Sequence, residues 1–282
     1  MLCVPATDAH RIAKALTSGA DEVVIDLEDA VPVSAKDSAR EVLAGIAWGS
    51  WESLPAVAVR VNAAGTPWCH RDLEAVVSAE PVTSVVLPKV ETREDVGFAE
   101  RLLGGLEAEV GRPHRIAVQA LVETAAGLAG LADIVSKPDR LSTLLIGYAD
   151  LATSLGRRAG SDEQWLPARE LVLWHARSAG LAAVDGPHLG VHDDEPFRRD
   201  VAGAAALGFD AKWAIHPRQL TALELAFGVT DDQIAHAERV LHVLEKAEGD
   251  GRGAVEMDGQ LIDEAMALAA RRVLAKARRD AS

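Results

Sequence analysis

Short and almost continuously apolar runs recur along the chain at intervals of about 30 residues, and a helical pattern follows each of them. Runs of this kind are typical of parallel strands that are covered by helices on one face and packed side chains on the other. There are eight runs: Leu2–Pro5, Glu22–Glu28, Ala56–Val61, Ser84–Lys89, Ile116–Glu123, Leu141–Tyr148, Leu181–Pro187 and Ala211–Pro217. Eight strand–helix repeats predict an α/β protein with a (β/α)8 TIM barrel.

The pattern changes after the eighth run. Thr230 is a candidate N-cap for a further helix, and the dipeptide Asp258-Gly259 between two short apolar segments predicts a β-hairpin. A terminal helix is expected from about Asp263 to Arg279. We therefore predict a barrel over residues 1–228 and a C-terminal extension of helix and hairpin over residues 229–282.

Composition narrows the class of partner. The chain of 282 residues has 29 Lys and Arg against 43 Asp and Glu, a net charge of −14, which opposes non-specific binding to nucleic acid. No run approaches the roughly 20 apolar residues of a membrane span, and the first residues lack the pattern of a signal peptide. Cys3 and Cys69 are far apart and suggest neither a disulfide framework nor a thiolate metal site. We expect a cytoplasmic protein with no membrane or nucleic-acid partner.

Polar residues end most of the apolar runs, and in barrels the carboxyl ends of the strands carry the catalytic groups. Carboxylates from or just after three runs are expected on one rim, namely Glu28, Asp29, Glu123 and Asp150. Arg60 and Lys89 are the nearest cations. Carboxylates so close together repel each other unless a positive charge lies between them. Oxygen ligands suit a hard divalent ion, so Mg²⁺ is the expected cofactor.

Each candidate has a structural alternative. Asp29 and Asp185 are also suited to capping the segment that follows them. Arg60 is placed to bind a substrate carboxylate with its planar fork, and the alternative is a salt bridge with Glu28 or Asp29. Lys89 is equally suited to a site role and to a solvated rim position, while His216, which precedes a proline, favours a structural role over that of a general base.

An ordered series of short motifs spans nearly the whole chain. It comprises Leu2-Cys3-Val4-Pro5, Asp26-Leu27-Glu28-Asp29-Ala30-Val31 with Lys36 and Arg40, Val59-Arg60-Val61-Asn62, Leu87-Pro88-Lys89-Val90-Glu91, Val122-Glu123-Thr124-Ala125, Gly208-Phe209 with Lys212, and Ile215-His216-Pro217 with Gln219. The series resembles the citrate lyase β-subunit-like branch of the HpcH/HpaI aldolase family, which is related to malyl-CoA and citramalyl-CoA lyases.

The resemblance implies a TIM barrel with Mg²⁺ on Glu123 and Asp150 and with metal-bound waters held by Glu28 and Asp29. It implies that Arg60, with Ala149 and Asp150, contacts the substrate. It also implies that the Gly259–Asp263 stretch closes over a neighbouring subunit's site, where Asp263 serves as acid or base, so that a homotrimer or a hexamer built from trimers is expected. From the residues alone, Asp263 is as well suited to capping the terminal helix.

The expected reaction is the cleavage, or formation, of a 3-hydroxyacyl-CoA thioester to a 2-keto acid and an acyl-CoA, as in citryl-, malyl- or citramalyl-CoA lyases. Three alternatives stay open: a CoA-independent pyruvate-type aldolase, a β-subunit that needs an acyl-carrier partner, and a non-catalytic metabolite-binding homologue. For the CoA, Arg11, Lys14, Lys36 and Arg40 are the candidate cations near the first two strands.

Overall fold

A computed structural model describes residues 1–51, 53–137, 139–158, 162–249 and 251–280. The chain divides into two compact units, Met1–Leu223 and Glu224–Ser282. The division falls inside a helix, Leu220–Phe227, whereas the sequence predicted a boundary after residue 228.

The first unit contains one parallel sheet in which eight strands follow each other in chain order. The strands are β1 (Leu2–Pro5), β2 (Glu22–Asp26), β3 (Ala56–Arg60), β4 (Val82–Leu87), β5 (Ala117–Val122), β6 (Leu141–Ile146), β7 (Ala182–Asp185) and β8 (Ala211–Lys212). Ala214, just after β8, receives a hydrogen bond from the Cys3 N–H and donates one to the Met1 carbonyl, both 2.9 Å long. The sheet thus curls back on its first strand, and the predicted α/β, TIM-barrel-like fold is confirmed.

Helices connect the strands at the predicted places. In chain order they are α1 (Ala9–Leu16), α2 (Lys36–Ala44), α3 (Cys69–Ser78), α4 (Arg93–Val110), α5 (Ala125–Ala129), α6 (Leu131–Ile134), α7 (Tyr148–Ser154), α8 (Leu166–Ser178), α9 (Glu195–Leu207) and α10 (Leu220–Phe227). Helix α4 shows why helix boundaries can be predicted from the sequence. A capping box of Thr92 and Asp95 starts the helix, and Gly111, with φ 66°, ends it.

The interior of the sheet is filled by a layer of apolar side chains. Each strand contributes one residue to the layer, which lies in the strand or next to its end. The layer consists of Met1, Val24, Ala58, Val86, Leu121, Leu145, Val184 and Trp213. Such a layer makes the barrel interior a packed core, so that binding has to occur at a rim.

Regular strand pairing stops earlier than the apolar runs suggest. The predicted eighth strand is too long: β8 ends at Lys212, and His216 begins a short 3-10 turn, Pro217–Gln219, by accepting the Arg218 N–H. Glu28 and Glu123, which end the second and fifth runs, lie just beyond the last residues of β2 and β5, and Asp150 lies in the first turn of α7, after β6. These residues are therefore free to project from the carboxyl rim.

The second unit follows the predicted order of a helix, a hairpin and a helix. Helix α11 (Asp231–Gly249) is capped by the Thr230 hydroxyl, strands β9 (Val255–Met257) and β10 (Gln260–Ile262) pair in antiparallel fashion, and α12 spans Glu264–Asp280. The hairpin turn, Asp258-Gly259, has φ angles of 54° and 79°, as the dipeptide predicts. In the described parts of the chain, no helix combines the length and apolarity needed to cross a bilayer.

Candidate active site

Asp26, the last residue of β2, organises the rim although sequence analysis did not select it. Its buried carboxylate accepts hydrogen bonds from the Glu28 N–H at 2.8 Å and from the Ala30 N–H at 3.3 Å. It also accepts a bidentate pair from Arg60, with Nε at 2.8 Å and Nη2 at 2.5 Å. Asp26 therefore fixes the loop after β2 and the plane of the guanidinium together. The detectable signal was an Asp that ends a buried strand in register with an Arg on the next strand.

Glu28 lies between two cations. Its Oε2 is 3.1 Å from Arg60 Nη1, and its Oε1 accepts a short hydrogen bond from Lys89 Nζ. The Lys89 ammonium also lies 3.4 Å from Asp29 and 3.9 Å from Glu123. The salt bridge between Arg60 and Glu28, which was the structural alternative to substrate binding, is thus present. Asp29 faces Lys89 rather than capping a helix. Lys89 is part of the charge network and is not an isolated surface cation.

Glu123 is held from two sides at the end of β5. Its Oε1 accepts the N–H of Lys89, at 2.9 Å, and the left-handed backbone of Lys89, with φ 54°, is one that non-glycine residues adopt uncommonly. On the other side, a Cβ placed on Gly147 would lie 2.4 Å from Glu123 Oε2. A glycine at the end of β6 is what allows the carboxylate to lie against the backbone.

Burial raises the pKa of two rim carboxyls, Glu28 and Glu123. Burial raises the pKa of Glu123 to about 8; the charge of Lys89 opposes this, and the negative charges of Glu28 and Asp150 reinforce it. The main cause of the shift is removal of the carboxyl from water, which disfavours its charged form, and a cation bound beside it would lower its pKa.

One cavity brings several of the predicted site residues together. It has a volume of about 240 Å³, and its lining includes Arg60, Glu123, Ala149 and Asp150. Arg60 is 14% exposed, which leaves it accessible from the cavity despite its partners. Glu28 contacts the cavity lining through Arg60, and its other partner, Lys89, lies 3.9 Å from Glu123.

The donor set fits a magnesium ion that has few protein ligands. Among the described residues, no three His, Cys, Asp or Glu side chains form a metal-binding group. Three carboxylates line the cavity, and Asp26 is already paired with Arg60. The other two are Glu123, at the end of β5, and Asp150, in the first turn of α7, and Mg²⁺ sites commonly combine one or two carboxylates with water and substrate oxygens. The positive charge of a bound ion would oppose the burial that raises the pKa of Glu123 to about 8.

A second, fully buried charge cluster lies beneath Tyr148, the first residue of α7. Asp185 accepts hydrogen bonds from the Tyr148 hydroxyl, from Arg169 and from Lys212, and Asp200 pairs with both cations. Two carboxylates and two cations balance each other there. Asp185 is therefore neither a cap nor a substrate ligand, and the cluster anchors the residue that precedes Ala149 and Asp150.

Other candidates have structural roles in this conformation. Lys36 is buried and donates to the carbonyls of Leu27 and Glu28, at 2.8 and 2.7 Å, so it braces the loop after β2. Arg40 pairs with Asp72 and Asp37. Asp263 belongs to the second unit, where its carboxylate caps α12 by accepting the N–H groups of Ala265 and Met266. Its acid/base role stays a prediction.

Comparison with known proteins adds independent findings. The model of the HpcH/HpaI aldolase/citrate lyase family matches residues 1–217. The chain is 34% identical to the citrate lyase subunit beta of Leuconostoc mesenteroides subsp. cremoris over 97% of its own length and 91% of that protein. It is 32% identical to an L-malyl-CoA/beta-methylmalyl-CoA lyase of Rhodobacter capsulatus, over 89% of this chain and 85% of that protein.

Solved structures show the same likeness. CitE of Mycobacterium tuberculosis, in complex with magnesium, acetoacetate and coenzyme A, superposes with a TM-score of 0.76 at 31% identity, covering 98% of this chain and 96% of that one. A citrate lyase structure from Burkholderia xenovorans reaches 0.85 at 20% identity, covering 99% and 92%, which supports the fold alone.

Proposed function

Because the chain belongs to the HpcH/HpaI aldolase/citrate lyase family, we propose that it is a Mg²⁺-dependent carbon–carbon lyase. Its substrate would be a 3-hydroxyacyl-CoA thioester, which it splits into a 2-keto acid and an acyl-CoA. The observation that carries the proposal is the cavity that Arg60, Glu123 and Asp150 share, in which burial raises the pKa of Glu123 to about 8. The related CitE structure with magnesium and coenzyme A supports it.

Glu123 and Asp150 would hold the ion, and Glu28 and Asp29 would orient waters around it. When bound, Mg²⁺ supplies Lewis-acid stabilisation of the negative charge that develops on oxygen. The chain's own contribution is a prearranged cavity: Gly147 and the Lys89 N–H fix Glu123, and the cluster beneath Tyr148 fixes the start of α7, where Asp150 lies.

Arg60 would bind the substrate carboxylate. A guanidinium has five N–H donors, and Asp26 and Glu28 engage three of them, so two N–H groups remain for a ligand. The backbone N–H groups of Ala149 and Asp150 lie in the first turn of α7, where a helix has no internal partner for them. Both features suit a carboxylate, and both are rigidly held.

In the proposed cleavage, the acid/base accepts the proton of the substrate hydroxyl, which becomes the carbonyl of the keto acid. The electrons of the broken carbon–carbon bond pass to the thioester as an enolate, and its α carbon then gains a proton. Asp263, acting from the second unit of a neighbouring subunit, is the proposed acid/base for that proton. This role requires a homo-oligomer, for which we propose a trimer or a hexamer built from trimers.

Product analysis tests the proposal. The protein is incubated with malyl-, citramalyl-, citryl- or 3-hydroxy-3-methylglutaryl-CoA, with Mg²⁺ or with a chelator, and the products are identified by mass. We expect a keto acid and an acyl-CoA from at least one thioester, only with the metal. Cleavage of free hydroxy-keto acids instead would indicate a CoA-independent aldolase.

The likeness to citrate lyase subunit beta favours one further candidate, a subunit that acts on an acyl-carrier protein. Turnover that needs an added acyl-carrier protein would support it. Binding without turnover of any substrate would identify a metabolite-binding homologue.

A further inference from the structure

The cavity has a side without charge. We define the apolar wall as Pro5, Ile146, Pro187, Trp213 and Ile215, which come from the ends of β1 and β6 and from the segments after β7 and β8. The wall borders the proposed carboxylate site directly, because the guanidinium carbon of Arg60 lies 5.6 Å from the centre of the Trp213 ring.

The charged groups around the cavity leave room for only one substrate carboxylate. Within the lining that the structure describes, Arg60 is the single cationic side chain, against Asp26, Glu123 and Asp150. The Arg60 charge is already balanced by the buried carboxylates of Asp26 and Glu28.

Cations near this lining are also engaged. Lys89 is paired with Glu28 and Asp29, while Lys212 is fully buried and paired with Asp185. The charge of each ammonium group is thus already offset by carboxylates of the protein.

Polar atoms on the wall side are directed to the protein as well. The Tyr148 hydroxyl donates to Asp185, and the indole N–H of Trp213 donates to the Cys3 sulfur. The surface that remains for the substituent of a bound keto acid is therefore hydrocarbon.

From this lining we infer that the keto acid released by this enzyme carries one carboxylate and a small alkyl group, as pyruvate does, and not a second carboxylate, as oxaloacetate does. The inference rests on the proposed lyase function and narrows its substrate. A carboxylate against the apolar wall would lose its hydration without gaining a partner, whereas a methyl group gains by burial there.

The expected kcat/KM values distinguish three substrates. We expect citramalyl-CoA, which yields pyruvate, to be cleaved with a kcat/KM at least about 100-fold above that of citryl-CoA, which yields oxaloacetate. Malyl-CoA, which yields glyoxylate and lacks the methyl group, should fall about fourfold below citramalyl-CoA, the factor that burial of one such carbon provides. Binding of the free keto acids in the presence of Mg²⁺ should follow the same order.

The experiment measures kcat/KM for the three thioesters on the intact protein and on two arginine variants. Ile215→Arg places a cation on the apolar wall and should narrow the preference for citramalyl-CoA over citryl-CoA by about tenfold or more. Leu189→Arg adds the same charge at a 61% exposed position outside the lining and should leave activity and preference unchanged.

A citryl-CoA rate within tenfold of the citramalyl-CoA rate, or oxaloacetate binding as tight as that of pyruvate, would overturn the inference while the lyase proposal stands. A preference for malyl-CoA over citramalyl-CoA would overturn the assignment of the alkyl group. If no thioester is cleaved and no keto acid binds, the proposed function fails and this inference fails with it.

Discussion

Gly147→Ala is the sharpest probe of how the site is built. The backbone of Gly147, with φ −110° and ψ 96°, is one that alanine adopts without strain, so the effect of the substitution comes from the added methyl group alone. That methyl would lie 2.4 Å from Glu123 Oε2 and 2.7 Å from Glu123 Cβ, and contacts this short force the carboxylate to move. Overpacking of this kind costs about 1–3 kcal/mol of stability.

Displacement of a metal ligand should cost more in function than in stability. We expect the Mg²⁺ affinity of Gly147→Ala to fall about 10- to 100-fold, the range seen when a ligand's support is removed. Titration calorimetry with Mg²⁺ measures the affinity, and thermal unfolding without metal measures the stability. Gly105→Ala is the matched control, since nothing lies within 4 Å of a methyl group there and the helical position favours alanine. A folded Gly147→Ala protein with unchanged Mg²⁺ affinity would show that Glu123 is not a ligand.

Three further predictions concern the remaining groups. Arg60→Lys should raise the KM for the keto acid strongly and lower the melting temperature, because an ammonium cannot reproduce the bidentate contact with Asp26; unchanged keto-acid binding would mean that Arg60 serves only the protein. Since the folded pKa of Glu123 is raised to about 8 from 4.5, the metal-free protein should lose stability as pH rises between these values. The Mg²⁺ affinity should increase over the same pH range. Melting curves and calorimetry at several pH values check both trends, and Glu123→Gln should flatten them. Asp263→Asn should abolish turnover but not Mg²⁺ binding, and exchange of subunits with Arg60→Ala should restore part of the activity; a mixture that stays inactive after verified exchange would contradict a shared site.

The fold could be predicted from the sequence because each βα repeat contains local sequence signals for its strand and its helix. The apolar runs, the capping box at Thr92 and the hairpin dipeptide Asp258-Gly259 depend on neighbours along the chain. The ends of strands were less predictable. In β8 the apolar run continues to Pro217, but pairing depends on a distant strand and stops at Lys212.

The positions of the candidate residues were predictable, but their pairing was not. Placing polar strand ends on one rim grouped Glu123, Asp150 and Arg60, which line one cavity, and their roles stay predictions. The partner of Arg60 was missed because Asp26 is one of several acidic residues close together in the sequence. Only the register of β2 with β3 places it opposite Arg60. The cluster of Asp185 with Lys212 was missed for the same reason: its members are far apart in sequence and meet only in the closed sheet.

The central claim is that Glu123 and Asp150 hold a magnesium ion on which carbon–carbon cleavage depends. The most direct measurement titrates Mg²⁺ into the metal-free protein, Glu123→Gln and Asp150→Asn while following both heat and cleavage of citramalyl-CoA. We predict saturable binding and matching activity in the parent protein, and the loss of both in each folded variant, because each substitution removes a charged oxygen ligand without removing core volume. Cleavage that persists in a chelator, or either variant binding Mg²⁺ as tightly as the parent, would contradict the account.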